Sequence, residues 1–422
     1  MIVIYTPKVT NRIKYTADFI FEQYFGITYE FTENPAVTIS PENFYINYSK
    51  QKLSNFFSVF QDDLLLEENV KAQKIFVSRE AEMPVFFQTI ESFDLKFDIF
   101  SCIFYLLSRY EEYLPHDKDI HGRYKSSNSI LAKPEFNFSP VVEIWLNYFR
   151  EELQKLRTNL SFKKYRLEYV PTFDVDNAFK YLGRNWQKHP PNILKSDCLK
   201  TLVGNQQDAF NIFDDIITEL NQYSYNPVFF FLLNDDGDNN SNVSPNSTKY
   251  HELIKKLANI YTTGIHPSYC SFENNLIDSE KQLLQNLSKT ITVSRQHFLK
   301  INFPYYFRKL YESGIEIDYS LSYPDTIGFR AGFSREFYFF DIINNISLPL
   351  LIQPSCWMDA TYEYYQPQKI NEIQDIFLTL FNQLKKINGK LVAIFHNDLL
   401  AKQIYWGVFE FINQQTNLGD EK

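Results

Sequence analysis

The sequence predicts a two-domain α/β protein whose larger, second domain is a parallel β/α barrel. At 422 residues the chain is longer than one ordinary hydrophobic core requires, so two domains are expected. From about residue 165 onward, short apolar runs alternate about seven times with segments of helical periodicity, an order typical of a parallel barrel. We therefore expect a smaller α/β domain over residues 1–160 and the barrel over residues 161–422.

Composition and charge indicate a globular protein without a nucleic-acid surface. Apolar residues make up 44% of the chain and charged residues 22%, which is ordinary for a folded globular protein. The formal net charge of −9 argues against nucleic acid as a partner, because such proteins cluster Lys and Arg. The aromatic content of 17% is high, but Phe, Tyr, Ile, Asn and Lys are all abundant, which we attribute to an AT-rich genome.

The sequence also indicates where the protein works. No apolar run approaches the roughly 20 residues that a membrane-spanning helix needs. The first residues, Met1–Pro7, lack the basic and apolar regions of a secretory signal and are typical of a first strand. The four scattered cysteines do not suggest a disulfide framework. We expect a cytoplasmic protein with no transmembrane segment.

The first domain is predicted to mix short strands with helices. The patterns indicate strands at Met1–Tyr5 and Lys74–Val77, and helices at Phe97–Tyr113 and near Pro140–Leu156. Dense mixed charges follow at the end of the first helix, and a second charged segment, Asp119–Tyr124, comes soon after. These charges are either a solvated helix end or a buried Arg–Glu network that docks the first domain onto the second.

The second domain is predicted from its repeated order of strand and helix. The predicted strands are Tyr165–Phe173, Pro227–Leu233, Gly264–His266, Thr290–Ser294, Ile315–Tyr319, Pro349–Ile352 and Leu391–His396. The predicted helices are Asp208–Tyr223, Lys249–Tyr261, Glu280–Lys289, Pro304–Ser313 and Asn371–Ile387. The segment Asn234–Thr248, rich in Asn, Asp and Ser, is predicted as a surface loop.

Acidic residues and histidines follow several of these strands. Asp174 and Asp176 end the first strand, and the later strands lead into His266, His297 and His396. Because catalytic residues of a parallel β/α barrel lie where strands end, these side chains are expected to meet. Asp and His can bind a divalent metal such as zinc, whose bound water has a pKa near 7. A carboxylate can take a proton from that water, and a histidine can protonate the leaving group, so metal-assisted hydrolysis of an amide or ester is indicated. A polar turn that closes a strand is the alternative for the two acids.

These residues also resemble a known family. Thr172–Asp176 resembles the first motif, in its Asp-x-Asp form, of the polysaccharide deacetylase superfamily (NodB homology, carbohydrate esterase family 4). Gly264–Ser271, Arg295–His297 and Phe395–Asn397 are similar, in the correct order, to the second, third and last motifs. The resemblance covers roughly residues 165–400 and implies a distorted (β/α)7 barrel. Arg109–Tyr113 and Asp119–Arg123 resemble a branch of this superfamily in which an N-terminal domain precedes the barrel.

The resemblance implies a role for each matching residue. Asp174 would be the catalytic base, and Asp176 and His266 would be metal ligands. Arg295 would orient the base, and His396 would act as the general acid. The chain departs from the family pattern at the second metal histidine, where Cys270 stands.

Three outcomes for the metal site remain open on the sequence. His297 can supply the third ligand, Cys270 can supply it as a thiolate, or no tight metal site survives. We favour His297.

Four further residues are candidate substrate contacts. Arg330 stands between Gly328 and Gly332, a setting suited to close ligand approach, although pairing with a nearby Asp is an equal alternative. Trp357 and Asp359 offer an aromatic platform beside an acid, although a core Trp is the commoner case. Tyr269, inside the second motif, is the fourth candidate.

The function expected from these residues is hydrolysis of a carbon–nitrogen bond. We expect a metal-dependent hydrolase that removes an acyl group, such as acetyl, from an N-acylated amino sugar or from a soluble or lipid-linked glycan precursor. Zinc is the expected metal, with cobalt or nickel as alternatives. Two other functions remain open, namely hydrolysis of a non-sugar C–N bond by an allantoinase-like enzyme and glycan binding by a pseudoenzyme.

Overall fold

The computed structural model describes residues 1–89, 92–158, 160–186, 195–235, 237, 239–240 and 242–417. Within these residues the strands form a four-stranded sheet, a nine-stranded sheet and a two-stranded hairpin. The strands are β1 (Ile2–Tyr5), β2 (Tyr29–Thr32), β3 (Phe44–Ser49), β4 (Phe57–Phe60), β5 (Ser78–Glu80), β6 (Met83–Val85), β7 (Glu168–Val175), β8 (Val228–Phe231), β9 (Thr262–Ile265), β10 (Val293–Ser294), β11 (Ile317–Asp318), β12 (Phe337–Asp341), β13 (Ile346–Ile352), β14 (Trp357–Met358) and β15 (Lys390–His396).

Helices connect most of these strands. The α-helices are α1 (Asn11–Ala17), α2 (Ile99–Leu107), α3 (Val141–Leu156), α4 (Ser196–Leu202), α5 (Phe213–Leu220), α6 (Thr248–Ile260), α7 (Ile277–Gln285), α8 (Tyr305–Glu312), α9 (Asp359–Tyr364), α10 (Ile370–Ile387), α11 (Asn397–Leu400) and α12 (Gln403–Asn417). A π-helix spans Asp18–Phe25, and 3-10 helices span Asp63–Leu66, Tyr110–Tyr113, Ser126–Asn128, Ile130–Ala132 and His297–Leu299. Among the described residues, no helix is both long enough and apolar enough to cross a membrane.

The N-terminal sheet is parallel and has the order β2–β1–β3–β4. The expected strand at the start of the chain is confirmed as β1. The strand expected at Lys74–Val77 is wrong, because the chain pairs only from Ser78 onward, where β5 and β6 form an antiparallel hairpin. Strands β3 and β4 lack clean period-two patterns, and β2 alternates over only four residues, which explains why the sequence did not indicate them.

The helix expected at Phe97–Tyr113 is shorter in the structure. It begins at Asp98, whose carboxylate accepts a hydrogen bond from the Ser101 amide and caps the helix. It ends before Arg109, which has a positive φ of 53° and turns the chain into a separate 3-10 helix. This turn brings the Arg109 side chain back onto Glu112, so the charged residues expected at a helix end form a buried pair.

The nine-stranded sheet has the order β12–β13–β11–β10–β9–β8–β7–β15–β14. All of its neighbouring strands are parallel except β12 and β13. The seven strands and five helices expected in this half are confirmed, with boundaries that differ by a few residues. The sequence did not indicate β12, β14 or α12.

The expected barrel is not a closed one in the part of the chain that the structure describes. The hydrogen-bonded ladder is open between β13 and β14. The connecting residues bond elsewhere, with the Gln353 amide donating to the Asp318 carbonyl and the Cys356 amide donating to the Val392 carbonyl. In addition, β13 already pairs on one side with β12 in an antiparallel hairpin. The parallel α/β architecture is therefore confirmed, whereas the strands form an open sheet.

The two parallel sheets share one hydrophobic core. A single cluster of buried apolar side chains runs from Ile2 to Ile412 and includes residues on both sides of residue 160. The π-helix residue Phe19, for example, packs edge-on against Phe333, with ring centroids 5.1 Å apart. The division into domains at residue 160 stays a prediction.

Candidate active site

The expected site residues that follow β7, β9, β10 and β15 lie together at the carboxyl edge of the large sheet. Asp174 is the last residue but one of β7, and Asp176 follows the strand directly. The register partner of Asp174 on the neighbouring strand β15 is His396. Because parallel strands end at the same edge, the register alone brings a carboxylate and an imidazole side by side.

Asp176, His266 and His297 form the one cluster of potential metal ligands found among the described residues. Asp176 Oδ1 lies 3.0 Å from His266 Nε2 and 3.3 Å from His297 Nδ1. The two imidazole nitrogens are 3.1 Å apart. Both histidines are buried, and the Asp176 side chain keeps about a fifth of its surface exposed.

The outer hydrogen bonds of the two histidines fix which nitrogen faces the cluster. His266 Nδ1 lies 2.6 Å from the Arg295 carbonyl oxygen, and His297 Nε2 lies 2.8 Å from the Asn239 carbonyl oxygen. A carbonyl only accepts hydrogen bonds, so each of these nitrogens carries the proton. In this tautomer of the neutral ring, the nitrogens of His266 and His297 that face the cluster carry lone pairs, as metal-binding histidines require.

Three potential metal-ligand atoms thus lie close together. Asp176 Oδ1 is buried and has no hydrogen-bond partner by geometry. Burial raises the pKa of Asp176, but His297 and His266 more than offset this, so its pKa lies well below its usual range. Burial lowers the pKa of His297, but Asp176 raises this pKa by more, so the net shift is upward. The site therefore favours a bound cation, and its one carboxylate and two imidazoles are a donor set suited to zinc.

Asp174 is held by Arg295, as the third motif implies. Arg295 Nη1 donates to Asp174 Oδ1 at 2.8 Å and to the Thr172 hydroxyl at 2.8 Å. Its guanidinium is fully buried and lies over the Phe230 ring, 4.6 Å from the centroid. Asp174 Oδ2 lies 3.9 Å from His266 Nε2, beside the ligand cluster. The arrangement holds one carboxylate at the cluster without making it a ligand.

Gly264 leaves room for the Phe230 ring, on which the Arg295 guanidinium lies. A Cβ on Gly264 would come within 2.7 Å of the Phe230 ring and 2.8 Å of Val293. Strand β9 can therefore lie close to its neighbours only with glycine at this position.

His396 is oriented by Asp359. Its Nδ1 lies 2.6 Å from Asp359 Oδ1, and its backbone amide donates to Asp359 Oδ2 at 2.8 Å. Its Nε2 lies 3.8 Å from Asp176 Oδ2. Burial lowers the pKa of His396, but Asp359, Asp176 and Asp174 raise it to about 10. The imidazole is therefore protonated at neutral pH and can donate a proton from Nε2.

The loop after β9 rests on a buried glutamate that the sequence did not single out. Glu280 accepts hydrogen bonds from the Ser268 amide at 3.1 Å, from the Ser268 hydroxyl and from the Ser271 hydroxyl at 2.9 Å. Its place at the start of α7, after the serines of the second motif, is the only signal that the sequence offers.

Two adjoining cavities open onto these residues. The larger, of about 450 Å³, is lined by Ile120, His121, Asp176, Asn177, Asn239, His297, Phe298, Tyr364, Tyr365, His396, Asp398 and Leu399. The smaller, of about 100 Å³, is lined by Arg123, Asp174, Asp176, His266, Gln296, His297, Phe298, Leu299, Pro324, Met358, Ala360, Tyr364, Tyr365 and His396. Residues of the N-terminal region, Ile120, His121 and Arg123, therefore belong to the walls.

None of the four expected substrate contacts lines either cavity, and Arg330 is the first of them. Arg330 is buried and donates to Glu112 at 2.9 and 2.6 Å, pairing with neither Asp318 nor Asp325. The close approach at its neighbouring glycine is made by the N-terminal region, because a Cβ on Gly328 would come within 2.5 Å of Phe138.

The other expected substrate contacts have different placements. Trp357 is buried against Phe395, with ring centroids 5.2 Å apart, so it packs in the core. Asp359 is fully buried and orients His396, so it has no free oxygen for a sugar. Tyr269 lies at the edge of the site, where its hydroxyl pairs with His121 Nδ1 at 2.9 Å.

Cys270 is not part of the ligand cluster. It is partly buried and lies on the turn that follows His266, while His297 supplies the third ligand atom of the cluster. Of the outcomes left open by the sequence, the geometry therefore favours His297.

Asp398 also lines the larger cavity, and the sequence patterns gave it no role. Burial raises its pKa to about 6, against the opposing effect of His396. Its position two residues after His396 was the available signal.

Part of the chain matches a protein family, and part of it is similar to solved structures. Residues 2–158 match a family described as a family of unknown function, DUF7033. No curated protein matches the chain. Solved structures are similar to it as well, and two of them are described here. A Mycobacterium smegmatis protein assigned as a polysaccharide deacetylase has 13% identity and a TM-score of 0.40, and the match covers 61% of this chain and 86% of that one. PuuE allantoinase has 11% identity and a TM-score of 0.41, with 60% and 84% covered.

Likenesses at these identities and scores carry no argument about activity.

Proposed function

We propose that the protein is a metal-dependent hydrolase that removes an acyl group, such as acetyl, from an N-acylated amino sugar or glycan precursor. The observation that carries this proposal is the convergence of Asp176 Oδ1, His266 Nε2 and His297 Nδ1 within 3.0 to 3.3 Å. The order of the motifs along the chain supports it, because the first three motifs each contribute one of the converging atoms and the last contributes His396.

The residues present fit a divalent metal ion. Asp176, His266 and His297 would hold it, and the orphaned Asp176 oxygen would gain the partner that it lacks in the protein alone. A zinc, cobalt or nickel ion bound there would polarise the substrate carbonyl and make water acidic enough to lose a proton near neutral pH.

The chain's own residues would supply the proton transfers. Asp174, held by Arg295 at 2.8 Å, accepts the proton of the attacking water. His396, protonated and oriented by Asp359, donates a proton from Nε2 to the departing amine. Phe298, Tyr364 and Tyr365 line the cavities and would shield the reacting groups from bulk water.

The first test is the metal content of the purified protein, measured by mass spectrometry beside the variant Asp176→Ala/His266→Ala. We expect near-stoichiometric metal in the wild-type protein and its loss in the variant. Metal absent from both proteins after supplementation with zinc, cobalt and nickel would contradict the proposal.

A matched pair of single variants tests the third ligand. We expect His297→Ala to weaken metal affinity by about 100-fold or more, because it removes one of three protein ligands. Cys270→Ala, a change on the loop after His266 that leaves the cluster intact, should change the affinity little. Titration with zinc against a competing chelator gives both values, and the reverse order would rule out the assigned ligand set.

The metal-loaded protein should then release acetate from N-acetylated amino sugars. A parallel screen of small cyclic amides covers the alternative in which the C–N bond is not part of a sugar. If the protein hydrolyses only cyclic amides, the same residues would instead catalyse hydrolysis of a C–N bond that is not part of a sugar.

A further inference from the structure

The segment Asp119–Arg123 of the N-terminal region is tied to both sides of the candidate active site. Arg123 Nη1 donates to the Phe298 carbonyl at 2.7 Å, and Arg123 Nη2 donates to the Tyr365 hydroxyl at 2.8 Å. Its Nε donates to Asp119 Oδ2 at 2.7 Å, which holds the side chain in place. Arg123 is only 2% exposed, and its three bonds are partly shielded from solvent. The Asp119–Arg123 segment is therefore held in place as one wall of the candidate active site.

The position of this wall follows from the order of the strands. Phe298 comes after β10, and Tyr365 comes after β14 and α9. Going from β10 along the ladder, the next strands are β11, β13 and the antiparallel edge strand β12, and the ladder does not close onto β14. Arg123 thus bridges the sector in which the sheet does not close.

The lining of the larger cavity shows the same arrangement. Its walls come from residues that follow β7, β8, β10, β14 and β15, together with Ile120 and His121. Among the described residues, none that directly follows β9, β11 or β13 lines this cavity, and Pro324, from the segment after β11, lines the smaller one. The Asp119–Arg123 segment supplies the wall on that side.

The wall offers groups that suit a sugar ring. His121 Nδ1 pairs with the Tyr269 hydroxyl at 2.9 Å, and its ring lies 4.9 Å from that of Phe298. His121 Nε2 makes no hydrogen bond to any residue that the structure describes, so a hydroxyl of a ligand can use it. Ile120, 95% exposed, and Tyr364, 66% exposed, present apolar surface at the rim, against which the face of a sugar ring can pack. The volume of about 450 Å³ is that of a small-molecule pocket, for which about 300–1,000 Å³ is typical.

We propose that the Asp119–Arg123 segment closes one end of the cleft and makes the protein specific for the terminal residue of a short glycan, or for a free amino sugar. The interior of a polymer would have to pass through this wall to place an internal N-acyl group beside Asp174. This inference rests on the proposed function and adds the position on the glycan at which the reaction takes place.

The test uses the full-length, zinc-loaded protein and β-1,4-linked N-acetylglucosamine oligomers from the mono- to the hexasaccharide. Binding is measured by calorimetry, and the position of each lost acetyl group is mapped by mass spectrometry of end-labelled products. We expect kcat/KM to stop rising beyond the disaccharide or trisaccharide, with the acetyl group lost from one terminal residue only.

Loss of acetyl groups from internal residues, with kcat/KM rising up to the hexasaccharide, would overturn the inference and leave the proposed function standing. If zinc binds but no oligomer is bound or turned over, the proposed function fails and the inference fails with it.

Variants of the segment test its role directly. Ile120→Ala/His121→Ala should lower kcat/KM for the preferred short substrate about tenfold, which is about the loss of one hydrogen bond. We expect Arg123→Ala to release the segment and to allow removal of acetyl groups from internal residues, which the wild-type protein leaves acetylated. Circular dichroism and metal content check that these variants fold, and the double variant still tests the role if Arg123→Ala does not fold.

Asp117→Ala is the matched control, because Asp117 is exposed, precedes the segment and lines neither cavity. It should keep the wild-type product pattern. If Ile120→Ala/His121→Ala folds and behaves like this control, the segment has no part in specificity.

Discussion

At the scale of single residues, each histidine of the candidate site has one ring nitrogen bonded to a fixed acceptor. Carbonyl oxygens of Arg295 and Asn239 serve this purpose for His266 and His297, whereas a carboxylate, Asp359, serves it for His396. A carboxylate acceptor favours the imidazolium more strongly than a carbonyl acceptor does. The outer hydrogen-bond partners therefore distinguish the two proposed metal ligands, His266 and His297, from the proposed general acid, His396.

Replacing Asp359 tests this separation. Asp359→Asn keeps the size of the side chain but removes the charge that raises the pKa of His396, so this pKa should fall towards the ordinary value near 6.5. A general acid works only while it is protonated, so the alkaline limb of the kcat/KM profile should move to lower pH by about 1 to 2 units. The measurement is the pH–rate profile of the zinc-loaded variant.

Asp341→Asn is a suitable control, because Asp341 is also a buried carboxylate but pairs with Arg308 instead of His396. Its alkaline limb should stay where it is in the wild-type protein. An unchanged limb in Asp359→Asn would show that His396 does not supply the proton.

At the scale of elements, helix α3 is joined to the large sheet by one buried acid. Glu143 Oε1 accepts from the Ser334 amide at 2.7 Å and from the Ser334 hydroxyl at 2.5 Å. Its other oxygen, Oε2, is buried without a partner. Burial raises the pKa of Glu143 to about 7, although the bonds from Ser334 oppose the shift.

This shift predicts a pH dependence of stability. The folded protein binds the Glu143 proton more tightly than the unfolded chain does, so this group lowers the free energy of unfolding as pH rises from about 4.5 to about 7. Glu143→Gln removes that contribution. Between about pH 5 and about pH 8, the wild-type protein should lose on the order of 3 kcal/mol relative to the variant. Urea unfolding at the two pH values measures this difference.

Glu151→Gln, an exposed change on the same helix, should follow the wild-type slope. If Glu143→Gln shows that slope as well, the Glu143 carboxyl does not titrate in the way described.

At the scale of the whole molecule, a buried charge network holds the N-terminal region against the large sheet. Glu112 accepts from Arg109 Nε at 2.9 Å and from Arg330 at 2.9 and 2.6 Å. Arg109 also donates to the Arg330 carbonyl and, at 3.2 Å, to the Tyr323 hydroxyl. Burial raises the pKa of Glu112, but the two guanidinium groups more than offset this, and its pKa lies below the usual range.

Breaking the network should be costly. Glu112→Gln leaves two buried guanidinium groups with less compensating charge, so we expect a loss of about 3–5 kcal/mol in the free energy of unfolding. Denaturant unfolding measures this loss. Glu312→Gln, which breaks the exposed pair with Lys309, should have almost no effect. Equal losses in the two variants would mean that the network does not hold the regions together.

The sequence by itself determined the order of the strands in the second half and the residues at their carboxyl ends. Each strand there is a short apolar run bounded by polar residues, and parallel strands end at one edge of a sheet, so Asp174, Asp176, His266, His297 and His396 could be brought together without coordinates. Motif order along the chain supported the same set.

The tertiary structure alone decided how the sheet ends and what surrounds the site. The opening between β13 and β14 depends on backbone hydrogen bonds of Gln353 and Cys356 to other strands, which leave no periodicity in the sequence. Asp359 orients His396, and Arg123 bonds to Phe298 and Tyr365, through contacts between residues far apart in the chain. Local patterns report local geometry, whereas such contacts arise only when distant elements pack together.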